Sequence, residues 1–497
     1  MLGFVVYTKL SKLVDECRRY SKLKHSRFRD TAYSITEKTI YGVHVVLGSA
    51  KTLVRRGRIA NHRLIVYSVY SYAFTCGTIF ACSRDYWCNN VIRNDELMAR
   101  LESQEFDMAV VDADFIVKCF LLVPHRLRIP WVTYTDAPVN PLVTQRAPWL
   151  SSFVQQLDLP LSGRMSFVDR LKNTLMLAAS FVNPPFPDPP SHLLDEYRRY
   201  GSFRDLDDLM SRSQLWLLTK HIVLDDARPV MPHTVDVGGL TVGRTSGELP
   251  EEMKRFVEGA EHGVILMTFG STLSTLPATV VQKFASAFLR LDGYRVVWRL
   301  INRDNVELPD NVMIGRWLPQ NDLLAHPSVK LFIAHGGNNG QFEAIYHAVP
   351  VISFPVFDFG DQVRNARRIA QKGYGLSMDL HDFTADQLVA NTRKILEDRS
   401  YKQRVTKASK IFRSEAQSPV EKAAYWIEHA CQFGSSHLRS ADANLSTLDS
   451  YLLLDLLAVT ICTLIVVLCL LVKLTTIVKR KLSATQRSIP TKRVKYD

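Results

Sequence analysis

The residues with the clearest chemical promise stand between positions 269 and 362. His335-Gly336-Gly337-Asn338-Asn339-Gly340 follows an apolar run and precedes an apolar, helix-like segment. Glycines at a strand end let the backbone approach a ligand closely and take positive φ. The next helix offers unpaired N–H groups and a positive dipole end to an anion. His335 and Asn339 add side-chain donors, and Gly337 and Gly340 add open backbone, as a diphosphate requires. Glu343, eight residues after His335, is a carboxylate able to accept both hydroxyls of a ribose. Trp317-Leu318-Pro319-Gln320 supplies a flat ring and an amide for a base, although a buried core tryptophan would fit the same pattern. Phe269-Gly270-Ser271 adds a second small-residue turn for phosphate, and Asp361-Gln362 can hydrogen-bond sugar hydroxyls.

These residues need a scaffold that brings separate turns together. In the second half, apolar runs alternate with helical patterns. Strands are expected at His262–Phe269, Tyr294–Arg299, Val312–Trp317, Val329–Ala334 and Val349–Val356. Helices are expected at Ala278–Leu291 and Gln341–Ala348, with His335–Gly340 as a loop. Such alternation implies a parallel, doubly wound sheet, whose ligands bind beyond the carboxyl ends of its strands. The first half repeats the theme less clearly. Phe106–Val111 reads as a strand ending at Asp112, Phe115–Leu122 as a helix and Ile129–Thr135 as a strand, a βαβ unit. The proline-rich 183–190 segment is an irregular connection, and the glycine-rich Asp236–Arg244 is a natural boundary between halves.

Composition narrows the classes. At 497 residues, two domains of similar size are expected. Apolar residues at 46% and charged residues at 22% describe a globular chain. The net charge of +13 is confined to the ends. Residues 1–65 carry 14 Lys/Arg against 4 Asp/Glu, and residues 473–497 carry 8 Lys/Arg against one Asp, so the body between is slightly acidic. A phosphate-tracking surface would place that charge on the body, which argues against nucleic-acid binding. No Cys-x-x-Cys pair suggests zinc. Cys76, Cys82 and Cys88 fit either one disulfide in an oxidising compartment or buried thiols, and Cys119 and Cys431 stand isolated.

Leu456–Val472 is uninterrupted and uncharged. With the residues from 451 it is long enough to cross a hydrocarbon core of roughly 30 Å as a helix. Lys473 and Lys479-Arg480-Lys481 follow, a positive-inside flank that puts the tail in the cytoplasm. Arg493 and Lys495 near the end resemble a dilysine-type endoplasmic reticulum retrieval signal.

The run from Trp317 through Gln320, His335-Gly336-Gly337-x-Asn339, Glu343 and Pro350 to Asp361-Gln362 resembles the signature of the UDP-glycosyltransferase family, including animal UDP-glucuronosyltransferases. Asp112, the Met165–Arg170 segment, Gly238-Gly239-Leu240, Trp426-Ile427-Glu428 and His437-Leu438-Arg439 extend the likeness over roughly 88–497. The resemblance implies two Rossmann-like domains facing a cleft, of GT-B type, plus one C-terminal transmembrane helix. Residues 1–240 would form the acceptor-binding domain, 241–450 the UDP-sugar-binding domain, 451–472 the span and 473–497 a basic cytoplasmic tail. Trp317 would stack on uracil with Gln320 beside it, and Glu343 would hold the ribose. Ser271, His335, Gly337, Asn339 and Gly340 would hold the diphosphate, and Asp361 and Gln362 the sugar. Asp112 would orient and charge a catalytic histidine.

The implied function is a single-pass endoplasmic reticulum glycosyltransferase. It would move glucuronic acid or glucose from a UDP-sugar to a small lipophilic acceptor, with no cofactor and no metal, and with room for a homo-oligomer. Two departures stand out. Asp361-Gln362 comes two residues later than the usual spacing, so Asp358 could compete for its role. No strand followed by histidine is visible in the first hundred residues, where His25, His44 and His62 lie among Lys and Arg. The first strand, its histidine and a signal peptide are therefore expected to lie outside this sequence, or else the chain is a UDP-sugar-binding protein without catalysis.

Overall fold

The structure is a computed structural model. It describes residues 39–40, 43–47, 64–69, 92–112, 118–135, isolated positions up to 165, then 165–182, 191–270 save 244 and 246, 276–301, 306–356, 361–440 and 453–487. Residues 1–439 and 440–497 are separate units.

In the first unit the strands are β1 (Thr39–Ile40), β2 (Val43–Leu47), β3 (Leu64–Val69), β4 (Met108–Asp112), β5 (Trp131–Thr135), β6 (Trp216–Leu218) and β7 (Thr234–Asp236), forming one sheet in that order. β1, β2 and β3 pair antiparallel, and β3 to β7 pair parallel. Helices α1 (Asp95–Glu102), α2 (Leu122–Leu127), α3 (Phe167–Val182), α4 (Ser191–Arg198) and α5 (Leu206–Ser211) connect them. A strand therefore does stand beside β4, where sequence reading found none. β3 runs parallel to β4 with Tyr67 level with Val111, and the residues after it are Tyr70-Ser71-Tyr72, not histidine. Its apolar core, Leu64-Ile65-Val66, is only three residues long, too short to stand out among the flanking charges.

The second sheet is wholly parallel, in the order β10-β9-β8-β11-β12-β13. Its strands are β8 (Gly263–Thr268), β9 (Tyr294–Arg299), β10 (Val312–Gly315), β11 (Val329–Ala334), β12 (Val351–Ser353) and β13 (Gly375–Ser377). Helices α6 (Glu251–Glu258), α7 (Ala278–Phe288), α8 (Gln320–Ala325), α9 (Asn338–Tyr346), α10 (Asp361–Lys372), α11 (Ala385–Glu397) and α12 (Arg399–Arg413) cover it. This is the doubly wound order, which reverses direction between β8 and β11. All six residues of β8 are buried, as expected of a central strand covered on both faces. Phe284, Phe288, Trp298, Phe354 and Phe383 fill one face as a cluster of tilted and edge-on rings. Each buried ring of this size contributes about 2–3 kcal/mol by leaving water. The last two helices of the sheet's return path start on side-chain caps, Thr384 with Gln387 for α11 and Asp398 for α12.

Helix α13 (Pro419–Phe433) follows the second sheet in sequence but packs on the first. Its Ala423, Ala424, Ile427 and Ala430 bury against Met108, Val110, Val132, Leu217 and Val235. We propose that it be counted with the first half, so that the 241–450 segment crosses back. In the second unit, α14 (Leu453–Arg487) is a single helix whose Asp455–Arg480 stretch is long and apolar enough to cross a membrane. At about 1.5 Å per residue it is longer than the 451–472 span requires. The hydroxyls of Thr460 and Thr463 bond the carbonyls one turn back and so need no outside partner.

Candidate functional site

The reversal of strand order between β8 and β11 opens a crevice at their carboxyl ends, the place where such sheets bind ligands. Thr268, Ala334 and Ser353 stand level at the ends of β8, β11 and β12. Beyond them the chain turns at Gly270 and at His335-Gly336-Gly337.

Glycine is required at these turns. Gly270 has φ +75°, and a Cβ there would lie 2.7 Å from the His335 ring. A Cβ on Gly337 would lie 2.4 Å from His335 Nε2. Gly336 has φ +85° and would press 2.9 Å from the Gln362 carbonyl. The His335 ring is therefore clasped between two glycines. Its Nδ1 is buried with no partner among the described residues, and desolvation pulls its pKa down to about 4. At neutral pH it is an uncharged imidazole, so it offers an anion one N–H rather than a full positive charge.

Helix α9 begins at Asn338, three residues earlier than expected, with Gly337 as its N-cap. Asn and Gly are poor helix formers in an interior, but the first turn needs no partner four residues back. Asn339 and Gly340 thus lie in the helix rather than in a loop. Asn339 is exposed, and Asn338 is buried and reaches back to Thr219, donating to its carbonyl and hydroxyl at 2.9 Å each. This joins the start of α9 to the end of β6.

Glu343 is 6% exposed and accepts from Gln320 Nε2. Gln320 opens α8 and Glu343 lies in the second turn of α9, and these helices precede and follow β11 in the chain. Trp317, in the turn before α8, is 75% exposed, so it is not a core tryptophan and its face is open for stacking. Gly340 lies beside Gln320, where a Cβ would be 3.3 Å from the Phe332 ring and in ordinary contact with Gln320 Nε2 at 3.6 Å.

Asp361 and Gln362 open α10. Asn365 donates to Asp361 at 3.3 Å and to the Gly336 carbonyl at 3.0 Å, tying this helix to the glycine loop. Gln362 Oε1 accepts from Val356 N at 2.9 Å. Burial raises the pKa of Asp361, partly opposed by Arg364. Ser271 and Asp358 lie outside the described residues, as do His25 and His62. His44 is in β2, level with Thr39 and Ser68. Asp112 ends β4 level with Tyr134.

Sequence reading missed Asn365, Arg299 and Cys119. Asn365 could have been found as the residue one turn after Asp361. Arg299, at the end of β9, donates to the Gly270 carbonyl, a contact with no local signal. Cys119, expected to be isolated, is disulfide-bonded, to a partner outside the described residues. The chain contains two Asp-x-Asp triplets, Asp112-Ala113-Asp114 and Asp205-Leu206-Asp207. In the second, Asp205 caps α5 and Asp207 pairs with Lys118 at 3.3 Å. Among the described residues no three His, Cys, Asp or Glu side chains gather as for a metal ion.

The fold is that of the two-sheet GT-B glycosyltransferases. The calicheamicin glycosyltransferase CalG4 superposes with a TM-score of 0.50 at 16% identity, over 73% of this chain and 82% of that one, a likeness of fold alone. The chain belongs to the UDP-glucoronosyl and UDP-glucosyl transferase family, whose profile matches residues 41–488. That match begins well before residue 88, where the sequence likeness first became visible. The rat (Rattus norvegicus) 2-hydroxyacylsphingosine 1-beta-galactosyltransferase is 32% identical over 373 residues, 74% of this chain and 67% of the relative. The rabbit (Oryctolagus cuniculus) UDP-glucuronosyltransferase 2C1 is 32% identical over 73% of this chain and 72% of its own. The protein is a glycosyltransferase.

Proposed function

We propose that the protein transfers glucuronic acid or glucose from a UDP-sugar to a small lipophilic acceptor at the β8–β11 crevice. The observation that carries this reading is the Gln320–Glu343 contact, with an exposed Trp317 three residues before Gln320 and the glycine-clasped His335 eight residues before Glu343. Stacked uracil on Trp317 brings the ribose hydroxyls to the Glu343 carboxylate. The diphosphate then meets the start of α9, where backbone N–H groups and the Gly270 and Gly337 turns stabilise the leaving group without a metal. Asp361 and Gln362 face the sugar. The acceptor hydroxyl attacks the anomeric carbon, its proton passes to a base, and UDP departs.

Asp112 is the positioning carboxylate for that base in this reading. A second reading, donor binding without transfer, is favoured by one observation: β3, the strand beside Asp112, is followed by Tyr70-Ser71-Tyr72 rather than histidine. Helix α14 would anchor the protein in the endoplasmic reticulum membrane with the basic tail in the cytoplasm. The disulfide at Cys119 supports a luminal, oxidising setting for the body. The test is UDP release by the full chain in detergent with UDP-sugars and a panel of phenols. Release that depends on the phenol supports transfer; UDP binding without release supports the second reading.

A further inference from the structure

Helix α13 ends in a reversal that brings two histidines together. Gly434, at φ +66°, caps the helix and leads into a short 3-10 turn at Ser436–Leu438. Glycine takes this backbone conformation at little cost. His437 on the turn meets His429 on the helix, Nε2 to Nε2 at 2.8 Å. The turn is held on both sides of His437. Ser435 donates from its N–H and its hydroxyl to Gln214 Oε1, at 3.1 and 2.9 Å. Arg439 donates to the carbonyls of Ser211 and Ser213, and Leu438 packs against the cluster that α13 buries on the first sheet. On the helix, His429 lies between the buried Ile427 and Ala430 in sequence. The rings of Trp426 and Phe433 pack on its own, with centroids at 5.4 and 5.1 Å.

The hydrogen bond alone does not account for so fixed a pair. One ring donates its Nε2–H to the other, yet His437 is exposed and His429 half-buried, so water could serve both nitrogens. The geometry instead matches a chelate. A bond from zinc to an imidazole nitrogen is about 2.0–2.1 Å long. Two such bonds span the 2.8 Å gap at about 90°, the angle of square-planar or octahedral nickel and copper sites. Widening the gap by about 0.5 Å reaches the tetrahedral angle of zinc. The donating ring need only move its proton to Nδ1. Both Nε2 lone pairs then face the ion, and the net protonation of the pair is unchanged. The exposed side leaves room for water to fill the remaining coordination positions.

We propose that His429 and His437 form a two-histidine binding site for a divalent transition-metal ion of the nickel, copper and zinc group. Imidazole suits these ions, whereas magnesium and calcium take oxygen ligands. The ion ties the end of α13 to the turn that follows it, just before the first unit ends at Arg439. The site shares no residue with the β8–β11 crevice and is independent of the UDP-sugar reading.

The experiment is calorimetry and thermal unfolding of the untagged full chain in detergent, with Ni²⁺, Zn²⁺ and Mg²⁺ as their chlorides. Wild type should bind one more Ni²⁺ or Zn²⁺ per chain than His429→Ala or His437→Ala, and excess Mg²⁺ should not displace it. His437→Asn, which keeps a hydrogen-bonding group, should lose the ion as His437→Ala does. Excess Ni²⁺ or Zn²⁺ should raise the thermal midpoint of wild type more than that of any variant, because an ion held by the folded form alone stabilises it. Metal-free midpoints should stay close to that of wild type, since the pair lies at the surface. Equal stoichiometry in wild type and variants, or an equal gain in midpoint, would overturn the proposal. Variants that lose metal-free stability while binding as many ions as wild type would assign the pair to packing and overturn it too.

Discussion

Glu343→Gln isolates the charge of the ribose-binding carboxylate from its packing. The glutamine fills the same volume, and its amide oxygen still accepts from Gln320 Nε2, so the contact that joins α8 to α9 survives. What is lost is the anionic acceptor for the ribose hydroxyls. A hydrogen bond to a charged group contributes about 1.5–3 kcal/mol and a neutral one about 0.5–1.5. The difference, about 1–2 kcal/mol, weakens UDP binding by about 5–30-fold. Glu343→Ala should in addition leave the Gln320 donor unsatisfied against a residue only 6% exposed, lowering stability by about 1–3 kcal/mol. Calorimetry with UDP and 2′-deoxy-UDP on the full chain reads both parts. The deoxy ligand should bind wild type more weakly and lose less on Glu343→Gln. UDP affinity unchanged in Glu343→Gln, or an equal loss with both ligands, would refute the ribose assignment.

Three further outcomes follow from the geometry. Gly337→Ala puts a methyl 2.4 Å from His335 Nε2 and should abolish detectable UDP binding while thermal unfolding remains cooperative; retained binding would show that the His335 clasp is not needed. Asn338→Ala removes two buried bonds to Thr219 and should lower stability by about 1–3 kcal/mol, read as a lower urea midpoint, with an unchanged midpoint as the contrary result. His233, His335 and His347 are each pulled down to about 4, all chiefly by burial, with Arg439 adding at His233 and Arg413 at His347. The folded form stays neutral where the unfolded chain takes up protons, so their contribution to stability is complete above about pH 6.5 and is lost as pH falls toward 4. The thermal midpoint should drop between pH 7 and 5, and a flat or rising profile would contradict the burial of these rings.

The second sheet is legible in the sequence because β8 is buried throughout and β11 everywhere but at Lys330, so both read as largely apolar runs. Tyr294–Arg299 and Val329–Ala334 match residue for residue. Strand ends are less legible. Val349–Val356 shrinks to Val351–Ser353 because its parallel partners stop at Ala334 and Ser377. Helix α9 starts early because a glycine N-cap leaves no side-chain signature. The destination of α13 is not legible either: its apolar stripe says that one face is buried, not that the face returns to the first sheet. Nor is the bond at Cys119, which depends on residues brought near by folding. Trp317, Gln320 and Glu343 were visible as types and spacing, but their contact across α8 and α9 is tertiary.

Transfer from a UDP-sugar at the β8–β11 crevice is the activity these residue roles serve. Its most direct test is product formation, followed by mass spectrometry, when the full chain is incubated with UDP-glucuronate or UDP-glucose and a phenol panel. A phenol glycoside should form in step with UDP, reduced about 5–30-fold by Glu343→Gln at subsaturating donor and by about two to four orders of magnitude by Asp112→Asn, as expected when a general base loses its positioning partner. Glycoside formed at wild-type rates by Glu343→Gln, or no glycoside from any donor by a chain that binds UDP, would contradict it.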